Sequence, residues 1–214
     1  MVPAKPATAR RGLRFARRMS DPRTSLRREL RTRRRAIPAP VRIAAAEALA
    51  QRLLALPMFP AQGAIAGYWA MDGEIALHVL QLRLPPQVRY CLPVLGDDGQ
   101  LRFGPWRPGE PLLANRHGIP EPDLAADALL APGELAMVLV PLVGFDARGN
   151  RLGMGGGWYD RSFAFRNAPA SGPPPWLVGV GFAAQQLDAL QPAPWDVRLD
   201  AACTERGTFM MEAA

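Results

Sequence analysis

The chain has 214 residues, 49% of them hydrophobic and 21% charged, which suits one sizeable domain with a buried core. Its net charge of +7 comes from one end: residues 1–42 hold 14 basic and 2 acidic residues (+12), and the remainder holds 12 basic and 17 acidic residues (−5). Such an acidic body argues against a broad nucleic-acid-binding face. The two cysteines, Cys91 and Cys203, lie far apart without zinc spacing, which favours a reduced, cytoplasmic setting.

The N-terminal residues are expected to form a separate leader. Residues 1–20 are rich in arginine and alanine and lack acidic residues, as transit peptides do, but contain no apolar segment typical of a secretory signal. We predict a disordered leader over residues 1–22 and one domain over residues 23–210, with organellar targeting and RNA contact as open alternatives. The sequence contains no run of about 18 apolar residues, so no membrane-spanning helix is predicted.

The domain opens with two predicted helices, over residues 24–36 and 41–56. The first carries leucines on one side and arginines elsewhere, a pattern typical of a solvated basic face. Pro38 and Pro40 separate the two helices.

Short apolar runs then alternate with other segments. Strands are predicted over residues 64–71, 88–94, 101–103, 137–140 and 176–182. With helical spacing over residues 75–83, this alternation predicts an α/β fold: a single three-layer domain with a mostly parallel sheet flanked by helices.

Two side chains near these strands have two interpretations each. Glu74 follows the first strand, where binding residues of α/β folds occur, although an acid at a helix start also favours the helix dipole. Trp106 lies in a loop-like stretch and could either cover a site or pack into the core.

A glycine-dense segment follows the strand at residues 137–140 and a turn at residues 145–150. It reads R-L-G-M-G-G-G-W-Y-D-R over residues 151–161. Each glycine costs about 0.5–1 kcal/mol in a regular element, so the cluster predicts backbone that closely approaches a ligand rather than core. A flexible surface loop is the alternative.

The flanks of the glycines predict phosphate as that ligand. Amides at a helix start bind anions, and Arg151 and Arg161 add positive charge. Asp160 offers the hard oxygen that Mg²⁺ prefers when it arrives with phosphates. A P-loop is excluded because the only lysine is Lys5, and the spacing differs from the G-x-G-x-x-G of dinucleotide-binding folds.

The same segment, preceded by V-P-L-V-G-F-D-A-R-G-N, resembles the signature of the 5-formyltetrahydrofolate cyclo-ligases, also called methenyltetrahydrofolate synthetases. Further segments agree in the order expected of that family, at residues 68–75, 91–94, 116–122 and 196–200. The resemblance covers roughly residues 24–207 and implies a NagB/RpiA/CoA transferase-like fold.

The resemblance also implies roles for individual residues. The substrate-binding set is Trp69, Glu74, Met154, Gly155, Gly156, Gly157 and Trp158. The ATP-binding set is Arg27, Arg31, Arg151, Gly153, Gly155, Gly156, Gly157, Trp158 and Tyr159. Glu74 and Arg151 are the implied catalytic residues and Asp160 the implied metal ligand. Arg27 stands where the family usually has lysine, and Trp158 where many members have tyrosine.

The activity implied by the resemblance is the ATP- and Mg²⁺-dependent conversion of 5-formyltetrahydrofolate to 5,10-methenyltetrahydrofolate. A monomer that binds small molecules, and neither nucleic acid nor membrane, is expected. Two alternatives stay open at this point: a phosphorylated-sugar or CoA-ester enzyme on a related α/β scaffold, and a non-catalytic RNA-associated protein.

Overall fold

The structure is a computed structural model that describes residues 22–168 and 171–211. The predicted leader therefore lies outside the described residues, apart from Pro22. The helices are α1 Pro22–Arg35, α2 Ala39–Leu54, α3 His78–Gln81 and α4 Trp158–Ser162. The strands are β1 Gly63–Ala66, β2 Val88–Leu95, β3 Leu101–Pro105, β4 Leu112–Ala114, β5 Pro120–Pro122, β6 Met137–Pro141, β7 Gly144–Asp146, β8 Arg151–Leu152, β9 Trp176–Val180, β10 Gln186–Leu187, β11 Ala201–Cys203 and β12 Thr208–Met210.

The main sheet has the strand order β12-β11-β9-β6-β1-β2-β3. The neighbours from β11 through β9, β6 and β1 to β2 are parallel. The two edge strands, β12 and β3, are antiparallel to their neighbours. The mostly parallel sheet predicted from the alternation of segments is confirmed.

The core lies on both faces of this sheet, which explains the continuous apolar run in β6. On one face, Leu49 and Leu53 of α2 join Ile65 in a buried cluster. On the other, Phe163 at the end of α4 joins Phe103 of β3 and Val138 of β6. Strands covered on both faces are apolar throughout rather than alternating, and the three-layer prediction is confirmed.

The segment after β1 was predicted with the wrong extent. The strand ends at Ala66 rather than at residue 71, and α3 covers only His78–Gln81. Between them the chain leaves the sheet and turns through Asp72 and Gly73, whose φ angles are +53° and +77°. The Tyr68 hydroxyl donates to the carbonyl of Ile75 at 2.7 Å, which closes the loop.

The order of the strands creates a crevice beside β1. The chain passes from β1 to β2 and β3 on one side, then returns to place β6 on the other side of β1. Ligands of open α/β sheets bind outside the carboxyl ends of the strands where the connections diverge in this way. Within the described residues, no helix has the length and apolarity needed to cross a membrane.

Candidate active site

A cavity of about 680 Å³ opens at the carboxyl ends of β1, β2 and β6. This volume lies within the usual range for small-molecule sites. Every residue assigned to the site from the sequence lines it, except Arg31. Segments far apart in the chain, from Arg23 to Asp196, therefore meet at the predicted edge of the sheet.

Glu74 forms one wall of the cavity. Its Oε2 accepts a hydrogen bond from the backbone N–H of Met71 at 3.0 Å, and its Oε1 lies 3.5 Å from Nη1 of Arg34. Burial raises the pKa of Glu74, while the Met71 N–H and the Arg34 charge act in the opposite direction. The structure thus brings a largely desolvated carboxyl group to the site, as expected from its place after β1.

Next to Glu74, three arginines of α1 surround Asp72 in a cluster that we call the arginine clamp (Arg31, Arg34 and Arg35 around Asp72). Arg31 Nε and Arg34 Nη2 each donate to Asp72 Oδ2 at 2.8 Å, and Arg35 donates to Oδ1. Burial alone would raise the pKa of Asp72, but the three hydrogen bonds outweigh it and lower the pKa to about 2.

The first helix presents two other arginines to the cavity. Arg27 lines it and donates from Nε to the carbonyl of Gly153 at 2.9 Å. Arg23, which the sequence analysis missed, also lines it and pairs with Asp196 at 2.9 Å. Arg27 and Arg31, which the resemblance assigned to the site, begin and end a basic-x-x-Leu-Arg pattern. The same pattern also fits Arg23 to Arg27, and this second match was the available signal for Arg23.

A hairpin of β7 and β8 delivers the glycine loop (residues 153–157) to the lining of the cavity. Buried Asp146 holds the turn, because its Oδ1 accepts from the backbone N–H groups of Arg148 and Asn150, both at 3.0 Å. Its Oδ2 accepts from the N–H of Leu190 at 2.8 Å. Because backbone donors satisfy this buried carboxylate, the turn that precedes the glycine loop is held in place.

Within the glycine loop, two residues need glycine for conformational reasons. Gly155 and Gly157 have φ angles of +100° and +66°, a region that L-residues with side chains rarely adopt. Met154, which directly precedes Gly155, is 50% exposed. The loop thus brings its glycines to the cavity lining, together with Met154.

Behind the loop, Arg151 and Asp160 form an ion pair. Arg151 is 7% exposed. It donates from Nη2 to Asp160 Oδ1 at 2.6 Å and from Nη1 to the carbonyl of Val197. The N–H of Val197 donates to the same Oδ1 at 3.1 Å. Asp160 Oδ2 accepts no hydrogen bond from a residue that the structure describes.

The donor set fits a magnesium ion delivered with phosphates. Among residues 22–168 and 171–211, no three His, Cys, Asp or Glu residues group closely enough to hold a metal by themselves. Asp160 and Asp196 both line the cavity. Mg²⁺ is commonly bound through one or two carboxylates together with substrate phosphates and water, so these two side chains are the protein ligands to consider.

Aromatic side chains complete the walls. Arg116 and Arg161 stack on the Trp158 ring with Cζ at 5.3 and 5.1 Å from its centroid. Trp69 lines the cavity and meets Trp106 edge to face at 5.8 Å. Trp106 is itself buried and donates from Nε1 to the carbonyl of Glu110. Of its two interpretations, Trp106 therefore packs, and its neighbour Trp69 lines the cavity.

Known proteins of one family are similar to this chain. A sequence model of the 5-formyltetrahydrofolate cyclo-ligase family matches residues 19–205. The chain belongs to this family. It is 39% identical over 138 residues to a 5-formyltetrahydrofolate cyclo-ligase of Haemophilus influenzae, covering 63% of this chain and 72% of the relative. A cyclo-ligase of Escherichia coli K12 is 33% identical over 178 residues, covering 82% and 96%.

Solved structures of family members share the fold. The 5,10-methenyltetrahydrofolate synthetase of Aquifex aeolicus superposes with a TM-score of 0.74 at 25% identity, covering 90% of this chain and 94% of its own. The synthetase of Mycoplasma pneumoniae does so with a TM-score of 0.63 at 22% identity, covering 86% and 99%. The resemblance and the fold predicted from the sequence are both confirmed.

Proposed function

We propose that this chain closes the ring of 5-formyltetrahydrofolate to give 5,10-methenyltetrahydrofolate, with ATP converted to ADP and phosphate and with Mg²⁺ required. The observation that carries the proposal is that Glu74 and the glycine loop line one and the same cavity. A carboxylate that can accept N–H groups and a loop backbone that could donate to phosphates suit a folate and a nucleotide bound side by side.

The reaction has two chemical steps. The formyl oxygen attacks the γ-phosphorus of ATP, so that an O–P bond forms and the bond to ADP breaks. N10 then attacks the activated formyl carbon, loses its proton, and the C–O bond breaks to release phosphate. Phosphoryl transfer of this kind depends on positioning and on charge neutralisation more than on a protein nucleophile.

The described residues supply those two requirements. Glu74, held by the Met71 N–H, would accept N–H groups of the pterin and orient the formyl group. Arg23 and Arg27 line the cavity on the side of the glycine loop and would neutralise phosphate charge. Arg31 is engaged by Asp72, and a role at the phosphates is proposed for it only as a longer-range charge.

On the phosphate side, Arg151 would orient Asp160, with Asp160 and Asp196 as the ligands of Mg²⁺. When bound, the ion would draw charge from the β- and γ-phosphate oxygens. The exposed amides of the glycine loop would cradle the triphosphate. Trp69 and Trp158 would flank the pterin with flat apolar surfaces.

Product absorbance tests the proposal directly. Purified protein is mixed with 5-formyltetrahydrofolate, ATP and Mg²⁺, and the long-wavelength band of the methenyl product is followed. We expect the band to grow only when all three are present. Glu74→Gln should lower kcat/KM by about 10- to 100-fold, since hydrogen bonds to a charged group contribute about 1.5–3 kcal/mol. Asp160→Asn should raise the Mg²⁺ concentration needed for half-maximal rate.

Asp127→Asn provides the matched control, because this exposed acid lies outside the cavity. It should leave the rate unchanged. A folded protein that binds ATP and yields no methenyl band would overturn the proposal.

A further inference from the structure

Arg34 has an environment that its sequence context does not predict. Its side chain is 1% exposed, and it is among the largest fully buried side chains of the described residues. Charged side chains are almost never fully buried unless they are paired. A buried arginine is also a costly way to join elements, because an apolar residue of similar volume is often equally stable. Its retention in the core calls for a functional reason.

The guanidinium of Arg34 connects three elements at the crevice. From α1, its Nη2 donates to Asp72 Oδ2 at 2.8 Å and its Nε to the carbonyl of Asp72 at 3.2 Å. Its Nη1 donates at 3.3 Å to the carbonyl of Leu142, directly after β6. The same Nη1 lies 3.5 Å from Glu74 Oε1. The fork geometry of arginine allows all these contacts at once.

Asp72 fixes this guanidinium in place. It adopts a φ of +53°, which is uncommon for a residue other than glycine, and it is held there by the arginine clamp. Strained backbone beside a binding site persists only where surrounding contacts determine it. Because Asp72 and Glu74 are two residues apart on one loop, the clamp also sets the position of Glu74.

We propose that Arg34 is a positioning residue that holds Glu74 as an oriented carboxylate on the folate wall of the cavity, with Asp72 as its anchor. This inference rests on the proposed function. It assigns a role to a residue that does not line the cavity. Arg34 acts through Glu74, by its charge and by fixing the loop on which Glu74 sits.

Several charged or titratable groups face Glu74, and their charges must be considered together. They come from α1, the loop after β1, and α4, and they are Arg31, Arg34, Tyr68, Asp72 and Tyr159. Arg42 of α2 approaches the same loop at Gly73. Burial raises the pKa of both tyrosines, so they stay neutral between pH 5 and pH 9, and Asp72 stays ionised. Within this set, Glu74 is therefore the group whose ionisation is expected to produce the acid limb of the pH profile.

Four proteins test the proposal: the wild type, Arg34→Met, Arg34→Lys and Arg33→Met. Arg33 lies on the same helix, is exposed and pairs only with Glu29 among the described residues, so its variant is the matched control. For each, KM for 5-formyltetrahydrofolate, kcat and the pH dependence of kcat/KM are measured, together with thermal unfolding.

The expected results separate orientation from charge. Arg34→Met should lose about 10- to 100-fold in kcat/KM for the folate, mainly through KM, and its acid limb should move to higher pH because Glu74 loses a cationic neighbour. Arg34→Lys should keep the wild-type acid limb but raise the folate KM about 5- to 10-fold, because an ammonium group cannot reach Asp72, Leu142 and Glu74 together. Arg33→Met should match the wild type.

A double variant excludes a purely structural effect. If Arg34 acts through Glu74, Arg34→Met should change kcat/KM much less in a Glu74→Gln background than in the wild type. An equal loss in both backgrounds, or a wild-type folate KM for Arg34→Lys, would overturn the proposal. Should Arg34→Met fail to fold, the Arg34→Lys result decides alone.

Equilibrium binding distinguishes this proposal from the proposed function. Trp69 lines the folate side of the cavity, so quenching of tryptophan fluorescence by 5-formyltetrahydrofolate reports binding without turnover. A wild type that binds no folate would count against the function itself. Folate binding that is equally tight in the wild type and both Arg34 variants would overturn only the role of Arg34.

Discussion

The two walls of the cavity contain the same pair of residue types, arranged for different purposes. On the wall that we propose for the folate (the folate wall), buried Arg34 contacts Asp72 and Glu74, and Glu74 also accepts the Met71 N–H. On the wall that we propose for the phosphates (the phosphate wall), buried Arg151 contacts Asp160 through one oxygen only. In this proposal the first wall presents a carboxylate to N–H donors, and the second keeps an oxygen for a cation. In each pair, the arginine contacts one carboxylate oxygen, and the partners of the other oxygen decide which role the pair can serve.

The largest effect is expected from removing the arginine of the phosphate wall. Arg151→Met leaves Asp160 with the Val197 N–H as its partner and should lower kcat on the order of 10²–10³-fold, as loss of a preorganised charge does elsewhere. The folate KM should change little. Steady-state kinetics with each substrate varied in turn checks this. If Arg151→Met and Arg34→Met gave the same pattern of kcat and KM, the two walls would not be distinct.

A substitution at one glycine of the loop should give an intermediate effect. Gly155 has a φ of +100°, and a Cβ there would meet Arg27 only at an ordinary contact distance of 3.6 Å. Gly155→Ala should therefore act through backbone strain of about 1–2 kcal/mol and raise the ATP KM roughly 10-fold. The folate KM should be unaffected.

Gly153→Ala is the control for this substitution. A Cβ at Gly153 would meet no atom within 4 Å, and its φ lies outside the left-handed region. The KM of this variant for ATP should stay within about two-fold of the wild-type value, because the substitution introduces no strain of the left-handed backbone. An equal rise in the ATP KM of both variants would mean that the loop requires glycine because it has no room for a side chain, and not because of its backbone conformation.

The smallest effect concerns stability, and it has opposite signs at two neighbouring carboxyl groups. The pKa of Asp72 is about 2 in the folded protein, below its unfolded value, so this group stabilises the fold above pH 4 and the effect is lost as pH falls towards 2. Asp72→Asn should cost about 1–2 kcal/mol at pH 7, after allowance for solvent screening.

Glu74 should behave in the opposite way. Burial raises its pKa above the unfolded value, so the stability of the fold falls as pH rises from the unfolded pKa through the raised pKa of the folded state. Glu74→Gln should therefore be more stable than the wild type at pH 7, with the difference vanishing below pH 4. Urea unfolding at pH 3, 5 and 7 measures both variants. A stabilised Asp72→Asn or a destabilised Glu74→Gln at pH 7 would contradict the assigned electrostatics.

The sequence predicted the parts of this molecule that depend on local pattern. The apolar run of β6 and the glycine loop were both found, because burial on two faces and close backbone approach leave direct traces in composition. The extent of β1 was wrong, since the turn at Asp72 depends on contacts with α1, 37 to 41 residues away in the chain.

Arginines were the least predictable residues of the site. The helical repeat places Arg23, Arg27 and Arg31 one turn apart, so the pattern alone did not show which of them reach the cavity. Arg34 belongs to a run of three arginines that favours a solvated face. Its burial arises from the approach of β6 and the loop after β1, which no local window contains.

The position of β1 between β2 and β6 has a consequence during synthesis. β1 can pair with β2 once residue 91 has emerged, but its other edge waits for Met137 and the residues that follow. At about 5–20 residues per second, that edge stays open for roughly 2–9 s. An unpaired apolar edge is a template for pairing with another chain. The nascent protein therefore carries an open apolar edge while the 45-residue stretch between residues 92 and 136 is being made, before its active site can exist.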